Sequence, residues 1–275
     1  IPYIEAPVMA SAAEGIANVE VVLVLDITGS MTSPASAGDT KSKIEALREA
    51  ADSFVTIVKG ADSKNGVSIG VVPYASQVNI PSSLRQEFNV TRLSSWNGVA
   101  NQGVPNINCI EIPTSTFTST ALSTSLAMPM AAVADTYTGN RALLDTPEPV
   151  LPTTTDYLAA TAYPPSIQFG PRLCTTKDDN TGTTANESEY NQVLLPTKDA
   201  NTVKARIAQL TAAGNTSIAL GMRWGTALID ETASNYYTIT DSDGKVRPFQ
   251  NDDETVRKII ILMTDGEHVS NNYIY

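Results

Sequence analysis

The stretch VEVVLVLDITGSM, from Val19 to Met31, decides the fold prediction. A run of valine and leucine leads directly into Asp26, and Thr28 and Ser30 follow at alternate positions. A nearly continuous run of β-branched residues and leucine is typical of a strand that is buried on both faces of a parallel sheet. The stretch therefore predicts a central strand whose carboxyl end presents a carboxylate and two hydroxyls in a single loop.

The segments that follow have the pattern of an α/β fold. KSKIEALREAADSFVTIVKG, residues 41–60, has apolar side chains at helical spacing and a glycine placed to end the helix. VSIGVVPYA, residues 67–75, is a second apolar strand, so the order is that of a βαβ unit. Further along, TKDANTVKARIAQLTA and SIALGMRWGTALIDE predict two helices before the strand RKIIILM, residues 257–263. We predict a central, mostly parallel sheet flanked by helices.

The middle of the chain has a different composition. Residues 84–195 are rich in Ser, Thr, Asn and Pro and show little periodicity, and a connection of this length is not an ordinary loop. We predict an N-terminal arm or linker at residues 1–18, a domain formed by residues 19–83 and 196–275, and an insertion at 84–195 with its own irregular fold. The insertion is either a glycosylated or binding surface or an ordered excursion without a role of its own.

Both cysteines, Cys109 and Cys174, fall inside this insertion. They fit one disulfide in an oxidising compartment or two free thiols in the cytosol, and composition does not choose between the two. A zinc site would need more ligands than these, because His268 is the only histidine of the chain.

The overall composition indicates a globular protein that does not bind nucleic acid. Hydrophobic residues make up 42% of the 275 residues and charged residues 17%, as expected of a chain with a core. The net charge of -11 would repel phosphates. No apolar run approaches the roughly 18 residues of a membrane span, and the chain starts at Ile1 without a signal peptide. We therefore expect a mature product or a piece of a longer protein.

Two apolar strands end in acidic loops that carry hydroxyls, LVLDITGS and ILMTDG. Ligands gather at the carboxyl ends of neighbouring parallel strands, so Asp26 and Asp265 are expected to lie close together. Thr28 and Ser30 are expected to face the same point as Asp26, and Thr216 in the turn AAGNTS adds a third hydroxyl. Carboxylate and hydroxyl oxygens suit Mg²⁺ first, with Ca²⁺ or Mn²⁺ as alternatives. We predict a divalent cation site with an open position for a carboxylate from a partner protein or surface.

D-x-T-G-S-M, the downstream GNT and the strand ending in TDG resemble the von Willebrand factor A (VWA) domain and its metal-ion-dependent adhesion site. The resemblance assigns the DxSxS element to Asp26, Thr28 and Ser30, with threonine in place of the first serine. It assigns the lone threonine to Thr216 and the final aspartate to Asp265. In this family the hydroxyls bind the ion directly and the aspartates often act through water. The resemblance implies a Rossmann-like fold that continues past TDG, so we expect the C-terminal strands to be missing from this chain.

More narrowly, VVLVLDITGSM, VSIGVVPYASQVNI and KIIILMTDGE resemble the TadG-like proteins of Tad/Flp pilus systems. Those proteins combine an N-terminal membrane helix with a VWA domain that long Ser/Thr/Asn-rich inserts interrupt, and they are associated with pilus assembly or adhesion. The resemblance implies a non-enzymatic protein in the periplasm or on the cell surface, with pilus components as partners. Membrane anchoring would use a segment that this chain does not contain.

Two other functions stay open. A structural subunit would use the ion only to stiffen loops and the insertion to make contacts, and a metal-assisted hydrolase would need a general base that is not evident. The chain has no G-x-S-x-G, HExxH or P-loop motif, and a lone His268 does not make a catalytic triad. Ile27 separates Asp26 from the Thr-Gly that an aspartic protease needs, and Thr28 stands where a D-x-D-x-T phosphotransferase needs aspartate.

One further loop and four further residues have predicted roles outside the metal site. DSDG, residues 241–244, resembles the start of a calcium loop but lacks the later ligands, so it predicts a β-hairpin turn. Met222 and Trp224 are predicted to pack against the sheet. Trp96 and Tyr163 in the insertion are either adhesive contacts or core residues.

Overall fold

The structure is a computed structural model, and it describes residues 18–75, 77–91, 109–110, 112–129, 191–212, 214, 216–240 and 244–266. In chain order, its strands are β1 (Asn18–Asp26), β2 (Val67–Tyr74), β3 (Val90–Thr91), β4 (Met128–Pro129), β5 (Leu194–Thr197), β6 (Ile239–Thr240), β7 (Val246–Arg247) and β8 (Val256–Met263). Its helices are α1 (Lys43–Ala61), α2 (Ser82–Gln86), α3 (Ala200–Gln209) and α4 (Ile218–Ile229), with 3₁₀ helices at Gly29–Thr32, Thr114–Thr118 and Glu231–Asn235.

A four-stranded sheet with the order β5-β2-β1-β8 forms the centre of the described part. β1 pairs in parallel with both β2 and β8, and β5 pairs with β2 in the antiparallel direction. The prediction of an α/β fold with a mostly parallel central sheet is therefore confirmed. Because β2 and β8 lie on opposite sides of β1, the strand order reverses at β1. In open α/β sheets such a reversal is where ligands bind, at the carboxyl ends of the strands.

β1 is buried on both faces because helices cover both sides of the sheet. Val21, Leu23 and Leu25 pack in one cluster with the apolar side chains of α1 and α3. Val22 and Val24 point the other way and pack in a second cluster with α4. Successive side chains of a strand alternate between faces, so a helix on each face makes every position of the run apolar.

Helix α1 begins with a capping box and ends just past the predicted glycine. The Glu45 carboxylate reaches back to the cap residue and accepts from the Ser42 backbone N–H at 2.8 Å and from the Ser42 hydroxyl at 2.7 Å. The sequence predicts an end at Gly60, but the helix continues to Ala61. The Asp62 carboxylate then accepts the backbone N–H of Gly66 at 2.6 Å, so a side-chain cap organises the turn into β2.

Two glycines let α4 approach the sheet closely. A Cβ at Gly221 would lie 2.6 Å from Cγ of the Tyr74 ring, and a Cβ at Gly225 would lie 2.7 Å from Cγ2 of Val24. Both distances are shorter than any real contact between carbon atoms. The small-residue positions of GMRWGTALI therefore set the distance between the helix and the sheet.

Trp224 is the large side chain between these two glycines, and it is fully buried. Its ring meets the ring of Phe88 edge to face, with 5.8 Å between the centroids. Met222 is partly buried against the same cluster. The prediction that Met222 and Trp224 belong to the core is confirmed.

The described parts of the predicted insertion contribute to the core on the α4 side of the sheet. Its buried apolar side chains in that cluster are Leu84, Phe88, Ile110, Ile112, Leu122, Met128 and Val193. Regular structure also enters the range 84–195 at both ends, since Leu84 lies in α2 and Leu194 begins β5.

Cys109 is buried and disulfide-bonded. Cys174, Trp96 and Tyr163 lie outside the described residues.

A buried charged cluster fixes the segment that precedes β4 to helix α4. The guanidinium of Arg223 donates to the carbonyl oxygens of Thr120 at 2.9 Å and Ala121 at 2.7 Å. Thr120 Oγ1 donates to Oδ2 of Asp230 at 2.6 Å. Burial raises the pKa of Asp230, but the hydrogen bonds from Thr120 and Thr232 outweigh it and lower the pKa to about 2. Asp230 therefore stays ionised and keeps the segment in place.

A second buried cluster closes the amino ends of β1 and β2, opposite the acidic loops. Arg247 is 1% exposed and donates to Asn18 Oδ1 at 2.9 Å and to the Gly66 carbonyl at 2.8 Å. Glu20 accepts the backbone N–H of Phe249 at 3.1 Å, and burial raises the pKa of Glu20. Arg247 lies in β7, which follows DSDG in the chain and pairs with β6, the strand that precedes DSDG. The antiparallel pairing of β6 with β7 fits the predicted hairpin, and residues 241–243 of its turn lie outside the described part.

The boundaries of the described sheet differ from the predicted layout in small ways. Residue 18, placed in the N-terminal arm by the sequence, begins β1, and residues 1–17 lie outside the described part. β8 is the outer strand on its side of the sheet among the described residues, with Ile259 41% and Leu262 39% exposed. None of the described helices is long and apolar enough to span a membrane.

Candidate metal centre

The acidic loops after β1 and β8 meet at one edge of the sheet. The parallel register pairs Leu25 with Met263, which makes Asp26 and Thr264 neighbours at the strand ends. The Thr264 hydroxyl donates to Oδ2 of Asp26 at 2.8 Å. The TDG corner is thus joined directly to the DITGS loop.

Asp26 lies at the centre of this junction and is fully buried. Its Oδ1 accepts the backbone N–H of Thr28 at 2.9 Å, and its Oδ2 also accepts the Tyr74 hydroxyl at 3.2 Å. Burial raises the pKa of Tyr74, and the charge of Asp26 adds to this effect. The phenol therefore stays protonated and remains a donor to the carboxylate.

The DITGS loop brings its two hydroxyls together. Oγ1 of Thr28 lies 3.0 Å from Oγ of Ser30, at the start of the 3₁₀ turn, and Thr28 is 1% exposed. Neighbouring ligands in an octahedral Mg²⁺ site, each 2.0–2.1 Å from the ion, are separated by about 3 Å. The two hydroxyls are hydrogen-bonded to each other, and their separation is also compatible with a shared octahedral ion.

The GNT turn is bonded to the same loop through main-chain contacts. The Gly29 N–H donates to the Gly214 carbonyl at 2.8 Å, and a Cβ at Gly29 would lie 3.2 Å from that oxygen. Gly214 has φ of 84°, a conformation that favours glycine. On the other side, the Ser217 N–H donates to the Ala75 carbonyl at 2.8 Å. Thr216, 1% exposed, is held between these two bonds.

Asp265 forms an ion pair with the side chain of Lys43. Its Oδ2 accepts from Nζ of Lys43 at 2.9 Å, and the side chains are 6% and 24% exposed, respectively. Lys43 is the first residue of α1, so this ion pair joins α1 to the TDG corner.

The DITGS loop is hydrogen-bonded to both other loops, through Gly29 to the GNT turn and through Asp26 to the TDG corner. Among the predicted ligands, Thr28 and Ser30 are in side-chain contact, and the Asp265 carboxylate pairs with Lys43. The sequence interpretation missed three residues that hold the aspartates, namely Tyr74, Thr264 and Lys43. Tyr74 ends β2 and Thr264 directly follows β8, so their position beside Asp26 follows from the register once the sheet order is known. Lys43 stands 222 positions from Asp265, and no local pattern indicates their pairing. His268 lies outside the described residues.

The donor set is one of hard oxygen atoms: two carboxylates and three hydroxyls. Within the described ranges, no group of three or more His, Cys, Asp or Glu side chains is placed to hold a metal ion. The candidate centre therefore depends on its hydroxyls as well as its carboxylates. Such a set fits Mg²⁺, Mn²⁺ or Ca²⁺ and does not fit zinc or copper.

Comparison of the chain with protein-family models, with curated proteins and with solved structures finds no match.

Proposed function

We propose that this protein is a metal-ion-dependent binding protein with a VWA-type domain, acting in a Tad-type pilus system. Its role there would be adhesion at the pilus or pilus assembly, in the periplasm or on the cell surface, without enzymatic activity. The observation that supports the proposal best is the convergence of the DITGS, GNT and TDG loops at the carboxyl end of β1. That edge is where the order of the described strands reverses.

In this proposal the chain's own residues have separate tasks. The hydroxyls of Thr28, Ser30 and Thr216 bind the ion, and the carboxylates of Asp26 and Asp265 supply the negative charge that retains it. Hydrogen bonds from Tyr74 and Thr264 orient Asp26. A bound Mg²⁺ would offer a carboxylate of the partner an electrostatic attachment point.

The proposal is tested with a hydroxyl that can be removed without changing the shape of the loop. Thr28→Val keeps the backbone N–H that bonds Asp26 and deletes Oγ1. Because even second-shell changes cost about 10–100-fold in metal affinity, we expect at least a tenfold loss of Mg²⁺ affinity. Cosedimentation with purified Tad-type pili should show binding of the parent in Mg²⁺, with the variant resembling the parent in EDTA.

The matched control is Ser33→Ala, which removes an exposed hydroxyl from the same loop and should bind pili as the parent does. Pilus binding that survives both EDTA and Thr28→Val would contradict an adhesive role for the ion. That result would favour the structural-subunit alternative, in which other surfaces make the contacts.

A further inference from the structure

The ion pair between Lys43 and Asp265 places a positive charge where the proposed ion needs a negative one. The distance between Nζ and Oδ2 is 2.9 Å, and the Asp265 side chain is 6% exposed. An ammonium group this close to a nearly buried carboxylate neutralises it in the absence of metal. The same ammonium repels any divalent cation that the carboxylate attracts.

A backbone hydrogen bond fixes the position of Lys43 at the start of α1, where the helix itself does not favour a positive charge. Its N–H donates to the Ser33 carbonyl at 2.9 Å, and the preceding residue, Ser42, is the helix cap. A lysine in the first turn lies at the positive end of the helix dipole, which disfavours a cation. The ion pair with Asp265 compensates for this unfavourable position.

We propose that Lys43 is a tethered counter-ion of the metal centre. It stabilises Asp265 while the site lacks metal, and it lowers the affinity for Mg²⁺ so that the ion is bound and released reversibly. This inference rests on the proposed function, because it concerns the regulation of the same site.

Two effects of removing the charge follow. In Lys43→Met the nearly buried carboxylate of Asp265 loses its ammonium partner, so the metal-free protein should lose stability. The repulsion between the ammonium and the ion also disappears, so Mg²⁺ should bind on the order of tenfold more tightly or better. A lysine with a merely structural role would produce the first effect without the second.

The experiment compares the parent, Lys43→Met, Lys43→Arg and Lys41→Met at one fixed pH and ionic strength. Lys41→Met is the matched control, because it removes the same charge two positions before Lys43. Lys41 pairs with Glu49 at the surface, where the two side chains are 59% and 61% exposed. Mg²⁺ affinity is measured by titration calorimetry and the melting temperature is measured in EDTA. We expect Lys43→Met to bind Mg²⁺ more tightly and to melt lower in EDTA, and Lys41→Met to match the parent in both.

Each outcome decides the question. An unchanged or weaker Mg²⁺ affinity in Lys43→Met overturns the inference, and so does an equal gain in Lys43→Arg, which keeps the charge. If the parent takes no Mg²⁺ and Lys43→Met does, the counter-ion role stands and the proposed function fails. If neither binds Mg²⁺, both fail. Should Lys43→Met not fold, Lys43→Gln replaces it in the same comparison.

Discussion

Asp26→Asn is expected to abolish Mg²⁺ binding while the protein stays folded. The substitution removes the negative charge at the centre of the three loops and leaves a side chain of the same shape. Asparagine Oδ1 can still accept the Thr28 N–H, and the hydroxyls of Tyr74 and Thr264 can reorient to accept from the new amide group. Titration calorimetry should show a loss of Mg²⁺ affinity of at least about 100-fold, since a ligand matters more than its outer-shell partners.

Asparagine is a better test than alanine at this position. From the sequence alone, Asp26→Ala would be expected to lose the ion and leave the fold largely intact. The structure shows three donors directed at the buried carboxylate, and alanine would remove the acceptor that they share. Each unsatisfied buried donor costs about 1–3 kcal/mol, so Asp26→Ala is expected to destabilise the protein as well.

The control for Asp26→Asn is Asp39→Asn. Asp39 lies in the same connection between β1 and α1, but its carboxylate is exposed and accepts from Ser36. The two variants have the same change in net charge, and Asp39→Asn should keep the Mg²⁺ affinity of the parent. Parental affinity in Asp26→Asn would show that the site assignment is wrong.

Trp224→Ala is expected to lower the free energy of unfolding by about 3–5 kcal/mol, the usual cost of emptying a large buried aromatic site. Trp224 is fully buried in the cluster on the α4 side of the sheet, and it packs edge to face on Phe88. Collapse into the resulting space is limited, because Tyr74 and Val24 are already in close contact with the glycines of α4. Urea unfolding followed by circular dichroism measures the change.

Two further variants separate packing from other effects in the same unfolding experiment. Trp224→Phe should cost less than alanine, since the indole N–H of Trp224 has no hydrogen-bond partner among the described residues. Ile57→Ala, at a position on α1 that is 71% exposed, should stay within about 0.5 kcal/mol of the parent. A cost below about 1 kcal/mol for Trp224→Ala would contradict the described core on this side of the sheet.

The central elements could be predicted from sequence because their patterns are local. The apolar run of β1 requires cover on both faces, and the spacing of Ile44, Leu47, Ala51 and Val55 defines the buried side of α1. The same is true of the ligand set: alternate positions in one loop bring Thr28 and Ser30 together.

Other elements could not be predicted because they depend on contacts distant in sequence. β5 is only the four residues LLPT, and its place comes from antiparallel pairing with β2. Ile110 and Ile112 alternate with polar residues beside a Ser/Thr-rich segment, and only their packing in the cluster that contains α4 identifies them as core. The pairing of Lys43 with Asp265 likewise exists only once α1 and β8 are in place.

The most direct test of the metal centre is anomalous diffraction from crystals of this protein grown with Mn²⁺, which takes the same oxygen ligands as Mg²⁺. We expect one strong manganese peak among Asp26, Thr28, Ser30, Thr216 and Asp265, where the three loops meet. A manganese peak elsewhere, with none between these side chains, would contradict the proposed centre.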